Sequence, residues 1–287
     1  MRRRILLIND YIGHGVGTVN VLQPLLMMSG HRVSVLLTAM MSHGFQYGDY
    51  VYRPLTEELN GTLTRWEQRH EEFDFDIVMT GFIDSLGDFR QFATVRSFLT
   101  ARRQRGAKII VDPVMGDGGA LYPTLPRRVI DEMRGLIRAA DVITPNVTEA
   151  ALLLGEHPQT TGAALAEWPE RLAAAGPATV IITDCPTDDP AQGRIYYRTA
   201  QGEHGTVPFT RQAAAFSGSG DYFNAVWLAA VEAGVPVAEA VAVAAAFIDE
   251  ALAETTAAHI NPADGLYGVR SFVRLLARLG LTASPSR

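Results

Sequence analysis

The chain alternates short apolar runs rich in valine and isoleucine with longer segments of helical periodicity, and this alternation constrains its fold most strongly. Six runs are typical of buried strands, namely 4–9, 32–38, 76–81, 107–112, 141–145 and 179–184. Helical patterns lie between several of them, at 88–104, 126–139 and 161–175. Strands that alternate with helices form parallel sheets covered on both faces. The sequence therefore predicts an α/β protein with a mostly parallel central sheet.

The pattern changes near Gly193, where two strand-like runs surround a turn at Gln201–Gly202 and predict an antiparallel hairpin. An alanine-rich helix is predicted at 236–257, and a last helix near 266–279. The sequence contains no evident linker or repeat. We therefore expect one domain, 1–287, with a frayed tail at 281–287.

Charge and cysteine content restrict the class of protein. The 25 basic and 31 acidic residues give a net charge of −6, and a nucleic-acid partner is not expected because it would need a basic face. The single cysteine, Cys185, cannot form an internal disulfide, which suits a reducing compartment. No stretch approaches the roughly 20 apolar residues of a membrane span. The expectation is a cytoplasmic protein without a membrane or nucleic-acid partner.

Polar side chains follow four of the predicted strands: Asn9 and Asp10, Asp112, Thr144 to Asn146, and Thr183 with Asp184. In such sheets ligands bind beyond the carboxyl ends of the strands. Polar residues also mark ordinary strand ends and turns, but the number of carboxylates and amides favours a binding site on one rim of the sheet.

The stretch FSGSGDYFNAVWLAAV, residues 216–231, places Asp221 where a glycine-rich turn becomes a helix. A carboxylate there stabilises a helix N-terminus as a cap. Alternatively, the N–H groups of the turn form an anion cradle, with Asp221 beside it. The stretch alone leaves both interpretations open.

Three stretches together resemble the ribokinase-like superfamily and, within it, the pyridoxal (vitamin B6) kinases. They are VDPVMGDGGALYP (111–123), ADVITPNVTEAALLLG (140–155) and GSGDYFNAVWLA (218–229). The resemblance extends over essentially the whole chain. It implies a ribokinase-like three-layer α/β/α fold with a C-terminal antiparallel hairpin, transfer of the γ-phosphate of ATP to a primary hydroxyl, and a homodimer.

The resemblance also implies roles for individual residues. Gly218, Ser219 and Gly220 would form an anion hole, with Asp221 as the catalytic base. Asn146 and Glu149 match the N-x-x-E motif of the family, which is linked to Mg²⁺ and phosphate, although the same spacing is that of a capping box. Metal contacts are expected from Asp112 and Glu149. ATP contacts are expected from Asp112, Asp117, Tyr122, Asn146, Thr183, Gly218 and Gly220. A role for a monovalent cation is left open.

The acceptor pocket departs from the family pattern. Expected acceptor contacts are Asp10, His43, Gly44, Phe45, Phe82 and Asp221. Gly44 stands where the family commonly has histidine, Phe82 where tyrosine is usual, and Asp84 replaces a glycine. Three alternatives remain: a B6 vitamer kinase, a hydroxymethylpyrimidine or hydroxymethylpyrimidine phosphate kinase, and a non-catalytic vitamer-binding homologue. The stretch GHGVG (13–17) lacks the lysine of a Walker A loop and predicts close backbone packing near the acceptor.

Overall fold

The computed structural model describes residues 2–86, 89–158, 162–211 and 216–281. The strands are β1 (Arg4–Ile12), β2 (Arg32–Met41), β3 (Tyr52–Pro54), β4 (Ile77–Thr80), β5 (Lys108–Val111), β6 (Gly116–Asp117), β7 (Ala120–Leu121), β8 (Val142–Ile143), β9 (Thr179–Pro186), β10 (Gln192–Arg198) and β11 (His204–Thr210). The helices are α1 (Val19–Met28), α2 (Thr56–Gln68), α3 (Arg90–Gln104), α4 (Arg128–Ile137), α5 (Val147–Leu154), α6 (Gly162–Ala166), α7 (Trp168–Ala173), α8 (Ser219–Glu232), α9 (Val237–Ala257) and α10 (Val269–Arg278).

Nine strands form one sheet in the order β11-β10-β9-β8-β5-β4-β1-β2-β3. The six strands predicted from the sequence are β1, β2, β4, β5, β8 and β9, and every pair of neighbours among them is parallel. The predicted hairpin is β10 and β11, which pair antiparallel and extend one edge of the sheet. The α/β fold class with its C-terminal hairpin is confirmed, while the single domain stays a prediction.

Side chains alternate between the two faces of the sheet because successive residues of a strand point to opposite sides. In β1, Leu6 and Ile8 join the core beneath α2 to α7, whereas Ile5 and Leu7 join the core beneath α1 and α8 to α10. Both faces are therefore covered, which explains why these strands are continuously apolar. Among the described residues, no helix is both long and apolar enough to cross a membrane.

Several predicted boundaries differ from the structure. The first strand was expected to end at Asn9 and Asp10, but β1 continues to Ile12. Its pairing with β4 stops at Ile8, and its register with β2 shifts after Asn9. Asn9 and Asp10 thus lie at an irregularity inside the strand, where β1 loses one of its neighbours.

The helix expected at 161–175 is two helices, α6 and α7, and Pro169 lies in the first turn of α7. Proline suits that position because its missing N–H would be unpaired there in any case. Helices α1 and α2 and the edge strand β3 were not predicted. The expected frayed tail falls almost wholly on 282–287, outside the described residues.

Candidate active site

The candidate site lies at the carboxyl ends of the parallel strands, where the N-terminus of α8 meets them. Asp112 follows β5, and its Oδ2 accepts a hydrogen bond of 2.9 Å from Nδ2 of Asn224 in α8. Asn146 follows β8 and forms an isolated parallel bridge with Thr183 of β9. These contacts bring the ends of three neighbouring strands and one helix together, as the strand-end rule predicts.

The turn before α8 has a backbone that only glycine adopts easily. Gly218 has a left-handed conformation with φ of 79°, and a Cβ there would lie 2.7 Å from the carbonyl oxygen of Val16. Ser219 turns its hydroxyl away from the helix axis and donates to the carbonyl of Phe216 at 2.8 Å. The first N–H groups of α8 lack carbonyl partners within the helix. This turn therefore has the backbone geometry of an anion-binding helix N-terminus.

Asp221 lies in the first turn of α8 and is partly buried. Its Oδ2 accepts a hydrogen bond of 2.7 Å from the backbone N–H of Thr18, at the other end of the chain. Burial raises the pKa of Asp221 to about 6, and the hydrogen bond from Thr18 opposes that rise. A carboxyl group with this pKa is largely ionised at neutral pH and accepts a proton readily, as a general base must.

Asp10 is a second buried carboxyl group, with only 2% of its surface exposed. Its Oδ1 has no hydrogen-bond partner among the described residues. Burial, followed by the nearby charge of Asp221, raises the pKa of Asp10 to about 8. A buried carboxylate without a donor is costly, so this side chain is best explained by a ligand that supplies the missing N–H or positive charge.

Asn146 and Glu149 form the capping box that their spacing indicates. Asn146 Oδ1 accepts from the N–H of Glu149, and Glu149 Oε2 accepts from the N–H of Asn146, both at 2.9 Å. The other oxygen of Glu149 accepts from the N–H of Met115 at 3.1 Å, and Asn146 Nδ2 donates to the carbonyl of Gly116 at 2.8 Å. The box therefore also fixes the loop that follows β5.

Asp112 and Glu149 have the donor chemistry of a magnesium site. Burial and the charge of Asp112 raise the pKa of Glu149 well above its usual range, and burial with the charge of Asp221 does the same for Asp112. A cation would relieve this repulsion. No group of three or more metal-binding side chains occurs among the described residues. Two carboxylates suit Mg²⁺, which keeps several waters and uses phosphate oxygens as further ligands.

Phe45, which begins a short 3₁₀ helix, Phe45–Tyr47, forms an aromatic wall with three other rings. Tyr122 stacks on Phe45 with ring centroids 5.7 Å apart, and Tyr50 and Phe82 approach it edge-on at 5.1 and 6.4 Å. Tyr122 was assigned to the nucleotide from the sequence. The structure stacks it on Phe45, a residue assigned to the acceptor, and its contact with the nucleotide stays a prediction.

His43 and Asp84 are engaged elsewhere. Nε2 of His43 lies 2.8 Å from the carbonyl oxygen of Gly48, and Nδ1 lies 3.0 Å from the hydroxyl of Ser42, so its ring organises its own loop. Asp84 Oδ1 accepts from the hydroxyl of Tyr52 at 2.5 Å. Neither contact supports direct binding of the acceptor. Gly44 has an extended backbone with φ of −66° and does not need to be glycine for its conformation.

Two further residues predicted to contact the nucleotide, Asp117 and Thr183, make hydrogen bonds with neighbouring backbone groups. Asp117 is exposed on the β6–β7 hairpin, where its Oδ1 accepts from the N–H of Gly118 at 2.7 Å. The N–H of Thr183 donates to the carbonyl of Pro145 at 2.9 Å. Next to it, Asp184 pairs with Arg211 at 2.6 Å. Residues 212–215, which continue from Arg211 toward α8, lie outside the described residues.

Two residues near the site were missed from the sequence. Asn224 holds Asp112, and its position one turn after Asp221 on α8 was an available signal, because residues three apart share a helix face. Thr18 binds Asp221 through its backbone, which no sequence pattern reveals. The close backbone packing predicted for GHGVG is confirmed, since a Cβ at Gly13 would lie 2.9 Å from the carbonyl oxygen of Ser42.

The fold and the carboxylates around the α8 turn define a ribokinase-like small-molecule kinase. Comparisons with known proteins agree. The phosphomethylpyrimidine kinase family matches residues 63–265. The pyridoxal kinase PdxY of Deinococcus radiodurans is 32% identical over 215 residues, which cover 70% of this chain and 68% of the relative. The chain belongs to the pyridoxal kinase family and is an ATP-dependent small-molecule kinase.

Solved structures agree over nearly the whole chain. A Bacteroides thetaiotaomicron protein, crystallised with pyridoxal, has a TM-score of 0.89 and 32% identity, covering 96% of each chain. The pyridoxal kinase of Leishmania donovani, in complex with ADP and pyridoxine, has a TM-score of 0.80 and 27% identity, covering 95% of each chain.

Proposed function

We propose that this kinase transfers the γ-phosphoryl group of ATP to the hydroxymethyl group of a B6 vitamer, with Asp221 as the base. The observation that carries the proposal is the position of Asp221, a partly buried carboxylate in the first turn of α8, beside the left-handed turn at Gly218. One structural relative was crystallised with pyridoxal and another with ADP and pyridoxine, which supports this acceptor class.

In this mechanism Asp221 accepts the proton of the acceptor hydroxyl. The hydroxyl oxygen forms a bond to the γ-phosphorus, and the bond between that phosphorus and the bridging oxygen of ADP breaks. The N–H groups of Gly218 to Gly220 stabilise the charge on the transferring group, which a preorganised helix N-terminus does at no cost of reorganisation.

Asp112 and Glu149 would hold Mg²⁺ near the phosphates, directly or through water. The metal would neutralise charge on the phosphate oxygens. Asn146 positions Glu149 through the capping box, and it anchors the loop after β5 through Gly116. The contribution of the chain on this side is to keep two acidic groups close together, in spite of their repulsion.

The acceptor ring would pack against Phe45 and its aromatic neighbours, and Asp10 would bind a protonated ring nitrogen or an exocyclic amine. The described acceptor-side residues include two carboxyl groups, Asp10 and Asp221, and no arginine or lysine. Since these residues offer no cationic partner for a phosphate, they disfavour an acceptor that already carries one. The matching family is described as phosphomethylpyrimidine kinase, which makes a pyrimidine the second candidate acceptor. The lack of a cationic partner on the acceptor side favours the unphosphorylated hydroxymethylpyrimidine, whose aminopyrimidine ring also offers N–H donors.

The test measures ADP release with ATP, Mg²⁺ and a panel of pyridoxal, pyridoxamine, pyridoxine, hydroxymethylpyrimidine and its phosphate. We expect turnover with at least one B6 vitamer and none with the phosphate ester. Asp221→Asn should lower kcat by about a thousandfold. For the wild-type enzyme, kcat should fall as pH drops below about 6, because Asp221 must lose its proton to act.

Glu250→Gln is the matched control, since Glu250 of α9 forms ion pairs with Arg274 and Arg278 of α10. It should keep kcat. Turnover of only the pyrimidine would replace the acceptor but keep the role of Asp221. A folded Asp221→Asn variant with near wild-type kcat would refute the proposed mechanism, and vitamer binding without any turnover would identify a non-catalytic homologue.

A further inference from the structure

Thr18, the residue before α1, has a backbone conformation that is unusual for its side chain. Its φ is 56° and its ψ is −140°, close to the first central position of a type II′ turn, which is dominated by glycine. Threonine is β-branched, and a positive φ in such a residue is a true outlier. Conformations of this kind persist only where the surrounding structure imposes them, and they concentrate at functional sites.

The contacts of Thr18 show what imposes the strain. Its carbonyl accepts from the N–H groups of Val21 and Leu22 at 3.1 Å and so begins α1. Its N–H points the other way and donates to Asp221 at 2.7 Å. In this conformation the same residue starts the helix with its carbonyl and reaches the carboxylate with its N–H. The strain therefore accompanies the bond to Asp221.

The residues before Thr18 pack into the same turn. A Cβ at Gly17 would lie 3.5 Å from Oδ2 of Asp221 and 3.7 Å from Cα of Gly218. The N–H of Val16 donates to the carbonyl of Asp264 at 2.8 Å. The segment 16–18 is thus held between the α8 turn and the loop at 264, directly against the proposed base.

We propose that Thr18 is a positioning residue, whose strained backbone directs its N–H at Asp221 and holds that carboxylate in the orientation needed to accept the acceptor proton. The inference rests on the proposed role of Asp221 and adds a residue to it. Threonine has a specific advantage here. The loop before it already contains Gly13, Gly15 and Gly17. A β-branched residue restricts the backbone between this loop and α1, whereas a fourth glycine would make that backbone more flexible.

Among the residues that the structure describes, three other titratable groups interact electrostatically with Asp221: Asp10 in β1, Asp112 after β5, and Tyr122 after β7. All three interactions act through space, whereas the bond from Thr18 is the hydrogen bond that lowers the pKa of Asp221. Loosening it should therefore move the acid side of the pH profile upward.

The experiment compares Thr18→Gly and Thr18→Ala with the wild-type enzyme, using the vitamer that the wild type turns over. In Thr18→Gly we expect kcat to fall about tenfold or more, since misplacement of a reacting group by about 1 Å costs up to about a hundredfold. The KM for ATP should stay within about twofold, and the acid limb of kcat should shift upward. The thermal midpoint should not fall, because glycine relieves the strained φ. Thr18→Ala should lose less kcat, because the Cβ of alanine still restricts the backbone conformations of residue 18.

His259→Gly is the matched control. His259 also has a positive φ, 53°, but it is exposed and lies just after α9. This change should leave the midpoint equal or higher and kcat unchanged. A Thr18→Gly enzyme with wild-type kcat and pH profile would overturn the inference. So would a parallel loss of stability and activity, which indicates a structural role, or an equal loss in Thr18→Ala, which indicates that side-chain atoms beyond Cβ act instead of the backbone.

Asp221→Asn distinguishes this inference from the proposed function. If Asp221→Asn keeps its turnover, the proposed base is wrong and the role of Thr18 falls with it. If Asp221→Asn is inactive while Thr18→Gly behaves as the wild type, only the positioning role of Thr18 is wrong.

Discussion

The two sides of the candidate site differ in how their buried carboxyl groups are paired. On the phosphoryl side, Asn146 and Glu149 bond to each other and to the loop after β5, so their hydrogen bonds are made within the chain. On the acceptor side, Asp10 is buried with an oxygen that has no partner among the described residues, next to the aromatic wall around Phe45.

This difference separates the residues proposed for phosphoryl transfer from those proposed to recognise the acceptor. Phosphoryl transfer needs the same donors for every acceptor, and backbone N–H groups with a capping box supply them from short, local segments. Recognition of one acceptor needs side chains from several loops. A buried side chain that binds the acceptor has no hydrogen-bond partner until the acceptor is present. The capping box and its bonds to the loop after β5 therefore stabilise the fold, although the repulsion between Asp112 and Glu149 opposes this. On the acceptor side, the unpaired carboxyl group of Asp10 lowers stability in exchange for binding.

Among the changes that test this comparison, Gly218→Ala should have the largest effect, because a side chain at this position meets the carbonyl of Val16. The new Cβ would lie 2.7 Å from the carbonyl oxygen of Val16, in a residue whose φ is 79°. We expect kcat to fall at least about a hundredfold, with a loss of about 1–3 kcal/mol in the free energy of unfolding. Steady-state kinetics and urea unfolding measure the two effects.

Gly220→Ala is its control, because a Cβ at Gly220 meets no atom within 4 Å. It should lose at least about tenfold less activity than Gly218→Ala. Equal losses in the two variants would show that the left-handed turn is not what the phosphoryl side depends on.

Asp10→Asn tests the acceptor side and should have an intermediate effect. It should weaken binding of the vitamer and stabilise the folded protein. Folded Asp10 keeps its proton up to about pH 8, whereas an ordinary aspartate releases it near pH 3.8. The folded state therefore binds more protons across this range, and the free energy of unfolding falls as pH rises through it. Asparagine carries no such penalty.

For Asp10→Asn we expect the KM of the vitamer to rise about tenfold, while the free energy of unfolding at pH 8 increases by about 2 kcal/mol. Urea titrations at several pH values measure the gain, which should vanish at about pH 2–3, below the ordinary pKa of aspartate, where both states of the wild type hold the proton. A gain that persists unchanged at that pH would contradict the assignment to an unpaired carboxylate.

Ser219→Ala should have the smallest effect, because the proposed anion hole uses the N–H of residue 219 and not its hydroxyl. The hydroxyl donates to the carbonyl of Phe216 at 2.8 Å. Its removal should cost about 1 kcal/mol of stability and change kcat by less than about threefold. Ser219→Thr keeps the hydroxyl and should keep the stability. A kcat loss of about a hundredfold in Ser219→Ala, measured with saturating substrates, would show that the side chain contacts the phosphate.

The fold was largely predictable because its parallel strands are buried on both faces and so are continuously apolar. The runs at 107–112 and 179–184 show this directly and correspond to β5 and β9. Strand β3 has three residues, with Arg53 and Pro54 exposed, and its short polar sequence carries no such signal. Helix α1 escaped prediction because Pro24 lies inside it and its apolar residues resemble a strand.

The sequence by itself determined the local parts of this protein: the parallel strands, the capping box at Asn146 and the glycine turn before Asp221. Each depends on periodicity or on turn chemistry within a few residues. The tertiary structure decided which distant groups meet. It stacked Tyr122 on Phe45, placed the N–H of Thr18 against Asp221, and left Asp10 buried beside that carboxylate. Such contacts depend on how separate loops pack at the carboxyl ends of the strands. No pattern within a few residues specifies which distant segments come into contact there.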